Sequence, residues 1–308
     1  MLYFERVCKV VIENRTRISI EHCKIKFEII KSYMAKDNTA KVEIFNLSRD
    51  TRELITQSDS LVTVYAGHLK NTGLVAIGSG DVTRVQTNRD RTEVVTEMYL
   101  SEGIKRVRTS PISFAFAFNS NATLSVILKE ITKQTKINFK VIEANENVQI
   151  KMGYSDAGSF DHVLDNLAIE FGFSWSIQNG VCIIKGTNEV KRREVLVLSP
   201  QTGLILHPES VKKVSRKLAK SDITKLGKNI RSVQTLLQPR VQIHDVVKLE
   251  SQDLKGLFEV QKITHIGDTR GNDWYTNFEI TPLGQGEGNL TPTNSQESTD
   301  LKSAIIDW

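Results

Sequence analysis

The stretch Lys41-Val-Glu-Ile-Phe-Asn46-Leu-Ser48-Arg-Asp-Thr51-Arg decides how this 308-residue chain is read. Val42, Ile44 and Leu47 alternate with polar or outward positions, the two-residue period of a half-buried β-strand. Asn46 and Ser48 then turn the chain and cap a short helix beginning near Asp50, because their side-chain oxygens accept otherwise unpaired N–H groups. On local physics alone this is a strand-to-helix corner.

Outward from that corner, residues 1–100 read as β. Val7–Ile12, Cys23–Ile30, Ala40–Phe45, Leu61–Ala66, Leu74–Asp81 and Thr92–Leu100 are predicted strands. Lys24-Ile-Lys-Phe-Glu-Ile29 alternates cleanly, so one face is buried and one wet. Short, regularly spaced strands with polar turns predict a sandwich or barrel. The helix near Asp50–Gln57, with Leu54 and Ile55 as its apolar stripe, is the one interruption.

From about residue 108 the period changes. Asn121-Ala-Thr123 opens a predicted helix in which Leu124, Ile127, Leu128 and Ile131 recur at helical spacing. Ile137–Ile142 and Val148–Lys151 read as strands. Ser159-Phe-Asp161 starts a second helix carrying Val163, Leu164, Leu167, Ala168 and Phe171, and Gly172 ends it as a left-handed C-cap. Phe173–Gln178 and Val181–Lys185 follow as a hairpin through Asn179-Gly180, a dipeptide suited to a turn with φ > 0 at both central positions. The unit is therefore α+β, ordered strand, helix, strand, strand, helix, hairpin. Beyond it, Glu194–Leu198, Lys212–Arg216, Ile230–Thr235, Val246–Glu250, Leu257–His265 and Asp273–Ile280 return to β. After Leu283 a Gly/Thr/Asn/Ser/Gln segment without periodicity reads as a flexible linker, ending in the apolar Leu301, Ile305, Ile306 and Trp308.

The opening string closely resembles the strand, Asn-Leu-Ser, short-helix corner of hub proteins in contractile bacteriophage tail baseplates. Leu236-Leu-Gln-Pro239-Arg-Val-Gln-Ile-His-Asp-Val-Val-Lys-Leu and Gly256-Leu-Phe-Glu-Val-Gln-Lys-Ile-Thr-His265-Ile-Gly-Asp268…Trp274 resemble the last β-barrel domain of such hubs. The glycine usual before the acid is His244 here, ahead of Asp245. The middle unit is similar to the short N-terminal domain of secretins and TonB-dependent receptors, at Thr123-Leu-Ser-Val-Ile-Leu…Ile-Thr-Lys-Gln-Thr and Phe160-Asp-His-Val-Leu-Asp-Asn-Leu. There the matched positions are core residues and caps.

These resemblances imply a mainly β chain with an α+β insertion: a hub β-barrel domain at 1–105, a βαββαβ-type adaptor at 106–188, a second hub barrel at 189–283, and a linker with an anchoring peptide at 284–308. They imply a structural virion protein, a homotrimer joining the hexameric tail tube, or a tube adaptor, to the trimeric spike. Other baseplate proteins would be further partners, with nucleic acid at most passing through the lumen. Leu301, Ile305, Ile306 and Trp308 are the expected partner-binding anchor. The alternative is a non-catalytic adaptor of a cell-envelope secretion or uptake machine.

Composition fits a globular chain: 39% hydrophobic and 25% charged, with a formal net charge of +5. Much of that excess lies at 211–231, where Lys212, Lys213, Arg216, Lys217, Lys220, Lys225, Lys228 and Arg231 face only Asp222. Without interleaved aromatics this stretch reads as a solvated face or a subunit contact before a phosphate-binding one. No run is long and apolar enough for a helical membrane span. Met1–Arg6 carries an early acid and no apolar core, so a secretory signal is not expected and assembly in the host cytoplasm is.

Cys8, Cys23 and Cys182 are scattered and read as small apolar residues, and no metal or cofactor is expected. No nucleophile elbow, phosphate loop or zinc-protease motif occurs, so no enzyme is expected. Asp161 and Asp165 read as solvated helix acids; His162 and His265 read as structural histidines.

Overall fold

A computed structural model describes residues 5–283 apart from 15, 34–37, 57–59, 91, 103–109, 117–122, 143, 145, 148–152, 179, 187–195, 211–229 and 252–253. The predicted tail anchor, most of the basic stretch, and the predicted strands at 148–151 and 212–216 lie outside the described residues.

The first seven strands are β1 (Arg6–Glu13), β2 (Arg17–Ile20), β3 (Ile25–Ser32), β4 (Thr39–Phe45), β5 (Leu61–His68), β6 (Val75–Asp90) and β7 (Glu93–Ser101). Helix α1 (Arg49–Thr56) interrupts them after β4. In β3, Ile25, Phe27 and Ile29 are buried while Glu28 is exposed, as the alternation requires. The short β2 was not legible, since four residues carry too little period to be read.

The middle elements run β8 (Pro111–Phe116), α2 (Leu124–Thr135), β9 (Asn138–Ile142), β10 (Tyr154–Ser159), α3 (Phe160–Phe171), β11 (Phe173–Gln178) and β12 (Val181–Gly186). Both helices start where the side chains dictate. Thr123 accepts from the Val126 N–H and Ser159 from the His162 N–H. Gly172 ends α3 at φ 66°, in the left-handed region that a residue without Cβ enters at least cost. Strands β8 and β10 pair with each other, and β11, β12 and β9 form a three-stranded sheet in which β12 and β9 run parallel.

The chain then returns to β with β13 (Leu196–Leu198), β14 (Leu204–Ser210), β15 (Arg231–Leu236), β16 (Val246–Glu250), β17 (Lys255–Asp268) and β18 (Trp274–Pro282). Two barrels were expected. The structure instead forms one thirteen-stranded sheet, ordered β14-β15-β18-β17-β3-β4-β7-β6-β5-β1-β2, with β16 on β17 and β13 on β16. The described residues form no closed barrel. Strand β3 is paired on both sides, by β4 and by β17, so β2 has no free β3 edge on which to close a ring.

Strand β17 is the join. Its first part pairs with β16 and its second part with β3, while β18 runs along its other side. Three apolar clusters follow. The first is built from β1–β7 and α1 but takes in Leu237 and Trp274 from the C-terminal part. The third is built from residues 196–280 and takes Tyr33 against it. The second draws only on residues 112–184.

Candidate functional site

The Asn46–Ser48 corner turns as the sequence predicts, but only one of the two expected caps forms. Ser48 Oγ accepts from the Thr51 N–H at 3.2 Å, capping α1. Asn46 stands at φ 58° and does not cap the helix. Its Oδ1 accepts from the Val94 N–H at 2.9 Å and its own N–H donates to the Val94 carbonyl at 2.7 Å, fastening the corner to β7. Leu47 and Ile55 turn into the first core.

Across the wet face of the sheet, side chains from both β parts fall into register. One row runs Leu236, Tyr275, Ile266, Glu28, Lys41, Tyr99, Arg84 over seven successive strands. Residues directly opposite on neighbouring strands share a face, so the row is one surface. Its charges compensate each other. Lys41 lies 2.6 Å from Glu43 and 3.5 Å from Glu97, Lys262 lies 3.1 Å from Glu279, and Lys26 lies 3.6 Å from Asp268. Arg84 and Lys41 both lie over the Tyr99 ring. Hydrogen bonding to Glu43 outweighs desolvation and raises the Lys41 ammonium above its ordinary range. A surface balanced in this way offers little net field to a phosphate backbone.

On the other side of the strand join, the α+β module meets the sheet through polar groups from all three parts of the chain. Asn38 Nδ2 lies 2.6 Å from Glu102 Oε2, 2.8 Å from Gln178 Oε1 and 3.0 Å from the Ile177 carbonyl, and Asn38 Oδ1 accepts from the Ser32 N–H. The Gly180 N–H, at the tip of the β11–β12 hairpin, donates to Glu102 Oε1 at 3.0 Å. Lys185 of β12 pairs with Glu259 of β17, whose Oε1 is also 2.8 Å from His244 Nδ1. The Tyr33 ring packs edge-on against His244 at 5.3 Å.

The electrostatics follow from burial. Desolvation would raise the Glu259 carboxyl, but His244 and Lys185 outweigh it and hold the group below the usual carboxylate range. Burial pushes Asp245 up, against the Gln242 N–H and the neighbouring Lys140 of β9. Burial pulls the Lys31 ammonium down, partly offset by Glu102. His244 keeps the left-handed turn that a glycine there would favour, at φ 71°. Its contacts with Glu259 and Tyr33 offset that strain, of order 1–3 kcal/mol.

Of these joint residues the sequence marks Gly180, as a hairpin turn, and His244-Asp245, as a departure before the acid; Asn38, Glu102, Gln178, Lys185 and Glu259 do not stand out in it. In sequence Glu259 simply lies between Phe258 and Val260; the structure buries all four residues from Phe258 to Gln261, so its carboxylate needs a partner that alternation alone does not supply.

His265 is fully buried beside Thr276 Oγ1 at 2.9 Å, and burial, with a smaller effect from Lys31, pulls its imidazole down to about 3. It is a structural histidine, as expected. Burial pushes the Cys8 thiol up to about 12 and raises that of Cys182 as well, so both behave as apolar filling. Asp165 departs from its expected role as a purely solvated acid: it accepts from Trp175 Nε1 at 3.0 Å, tying α3 to β11. Among the described residues no cluster of His, Cys, Asp and Glu could hold a metal, and no helix is long and apolar enough to cross a membrane.

No protein-family model matches the chain, and no curated protein matches its sequence. Solved structures do share the fold. A tail protein from Neisseria meningitidis MC58 superposes with a TM-score of 0.63 at 10% identity, over 91% of this chain and 98% of that one. The 43 kDa tail protein of prophage MuSo2 from Shewanella oneidensis gives 0.58 at 13% identity, over 89% and 98%. An E. coli component of the type VI secretion system, described as structurally similar to the T4 bacteriophage tail proteins gp27 and gp5, gives 0.57 at 12% identity, over 86% and 75%. At these identities the likeness is one of fold, and the chain has the mainly β fold of phage tail proteins.

Proposed function

We propose that this chain is a structural, non-catalytic virion protein: the baseplate hub of a contractile tail, which joins the hexameric tube to the trimeric spike. The observation that carries the reading is the β3–β17 pairing, which joins the N-terminal and C-terminal β parts in one sheet. Two β parts held at a fixed angle would give a trimer six related positions, and closed homo-oligomers are the general expectation. On this reading residues 1–105 and 189–283 are the two hub domains, and 106–188 is the adaptor with its secretin-like resemblance. Leu301, Ile305, Ile306 and Trp308, beyond the linker from 284, anchor a neighbouring spike or hub chain. The protein assembles in the host cytoplasm and resides in the tail baseplate. The balanced sheet face suits a surface that DNA passes without being held.

Native mass spectrometry and electron microscopy of the purified protein, alone and with its spike, test the proposal. A trimer with three-fold symmetry and no clearing of peptidoglycan in zymograms is expected. A stable monomer in the presence of tube and spike proteins, or a cleared band, overturns it. The second reading, a non-catalytic part of a cell-envelope secretion machine, is favoured by the type VI component that shares the fold. Co-purification with secretion proteins in place of tail proteins would select it.

A further inference from the structure

The α+β module is fastened to the sheet differently from the way the sheet is fastened to itself. Its core contains no side chain from β1–β7 or β13–β18. Its described bonds to the sheet are polar: Asn38 with Gln178 and the Ile177 carbonyl, Glu102 with the Gly180 N–H, and Glu259 with Lys185. Lys140 of the module also acts on Asp245. These points are divided between the two β parts. Ser32, Asn38 and Glu102 belong to the β3–β4–β7 end; His244, Asp245 and Glu259 belong to the β16–β17 end.

Such a seam is close to all-or-none. Lys31, Asn38, Glu102, Gln178 and Glu259 are each less than a tenth exposed. Removing charged groups from water costs several kcal/mol per ion, returned only while the partners stay in place. Loss of one contact leaves the others poorly compensated, so intermediate positions of the module are disfavoured. Separation, by contrast, parts Glu259 from Lys185 and Glu102 from the Gly180 N–H while the module's own core stays closed.

We infer that the seam is a releasable latch: the module docks across both β parts as one body and undocks as one body, while the thirteen-stranded sheet stays folded. The inference does not depend on the hub reading, because it concerns only how the module is held.

Two readouts on the full chain test it. Cys23→Ser with Lys129→Cys on α2 and Thr87→Cys on β6 places one spin label on the module and one on the sheet. Electron–electron distance measurements on this parent should give one narrow distribution. Adding Asn38→Ala or Glu259→Gln should deplete the narrow peak by about tenfold in favour of a broad one, with the thermal transition of the sheet retained. A distribution that stays narrow overturns the inference, as does simultaneous unfolding of module and sheet. Should Glu259→Gln fail to fold, Lys185→Met removes the same pair from the module side while keeping an apolar stem. The second readout needs no variant. In native-state hydrogen exchange, the Gly180 amide, which donates to Glu102 across the seam, should open at lower free energy than the amides of β3 and β17. An equal opening free energy overturns the latch.

Discussion

Two joints hold this molecule together, and they use opposite physics. Between the β parts the joint is backbone pairing plus shared core: β3 lies against β17, Phe27 meets Trp274 edge-on at 5.4 Å, and a side chain at Gly267 would collide with the Phe27 ring. Between the sheet and the α+β module the joint is a small set of buried polar contacts with a separate core on one side. Apolar burial is non-directional and tolerates small displacement, whereas a buried hydrogen-bonded pair is worth most at one geometry and is a liability elsewhere. A weld and a latch therefore meet on one strand: β17 pairs with β3 and also carries Glu259.

The contrast can be broken most forcefully at the weld. Trp274 is 2% exposed in the first core although it comes from β18. Trp274→Ala should cost about 3–5 kcal/mol and lower the unfolding of both β parts together in calorimetry. Separate transitions for the two parts would mean that they are not one cooperative unit.

Acid should attack the weld as well. His265 on β17 has its folded pKa depressed from the ordinary 6.5 to about 3. The unfolded chain therefore binds the extra proton first, so stability falls as pH drops from about 6.5 towards 3 and is fully present above that window, a few kcal/mol at most. His265→Gln should flatten that part of the stability–pH curve measured by denaturant titration. An unchanged slope would assign it to other groups. Glu259, with its lowered pKa, adds a contribution present above its ordinary value of 4.5 and lost below it, shared between His244 on the sheet side and Lys185 across the seam.

The Asn46 corner lies outside both joints, so its loss should touch neither selectively. Asn46→Ala removes the bond to Val94 and strains φ 58°, for about 2 kcal/mol in all. Ser48→Ala should cost less, about 1 kcal/mol of capping. Both should lower the melting temperature and leave exchange of the seam amide of Gly180 unmoved relative to the sheet. A selective loosening of that amide in either variant would couple the corner to the latch.

Local chemistry made much of this fold legible. Thr123, Ser159 and Gly172 mark helix ends by donor and acceptor count alone, and Gly180 takes the positive φ that its turn needs. What could not be read was who pairs with whom. β3 and β17 each look like a strand of its own unit, and only three-dimensional register brings Ile29 opposite His265. The expected closure into two barrels failed at that pairing. The latch was hidden for a related reason: Asn38, Glu102, Gln178 and Glu259 are isolated polar residues in sequence, and their meaning lies in one another. Asp165 was misread because a carboxylate on a helix gives no hint that an indole N–H is waiting on the next strand.

The late arrival of β17 also shapes how the protein is made. The Ile25 N–H finds its acceptor on Thr269, 244 residues further along the chain. At about 5–20 residues per second, a ribosome needs roughly 10–50 s to deliver that partner. Throughout that interval β3 leaves the exit tunnel with an unsatisfied edge, beside Phe27 with no Trp274 to cover it. An open strand edge is a template for wrong pairing. Nascent chains of this protein should therefore depend on a holding chaperone until the last strands emerge, and truncation before residue 255 should send the product to inclusion bodies although the whole N-terminal β part is present.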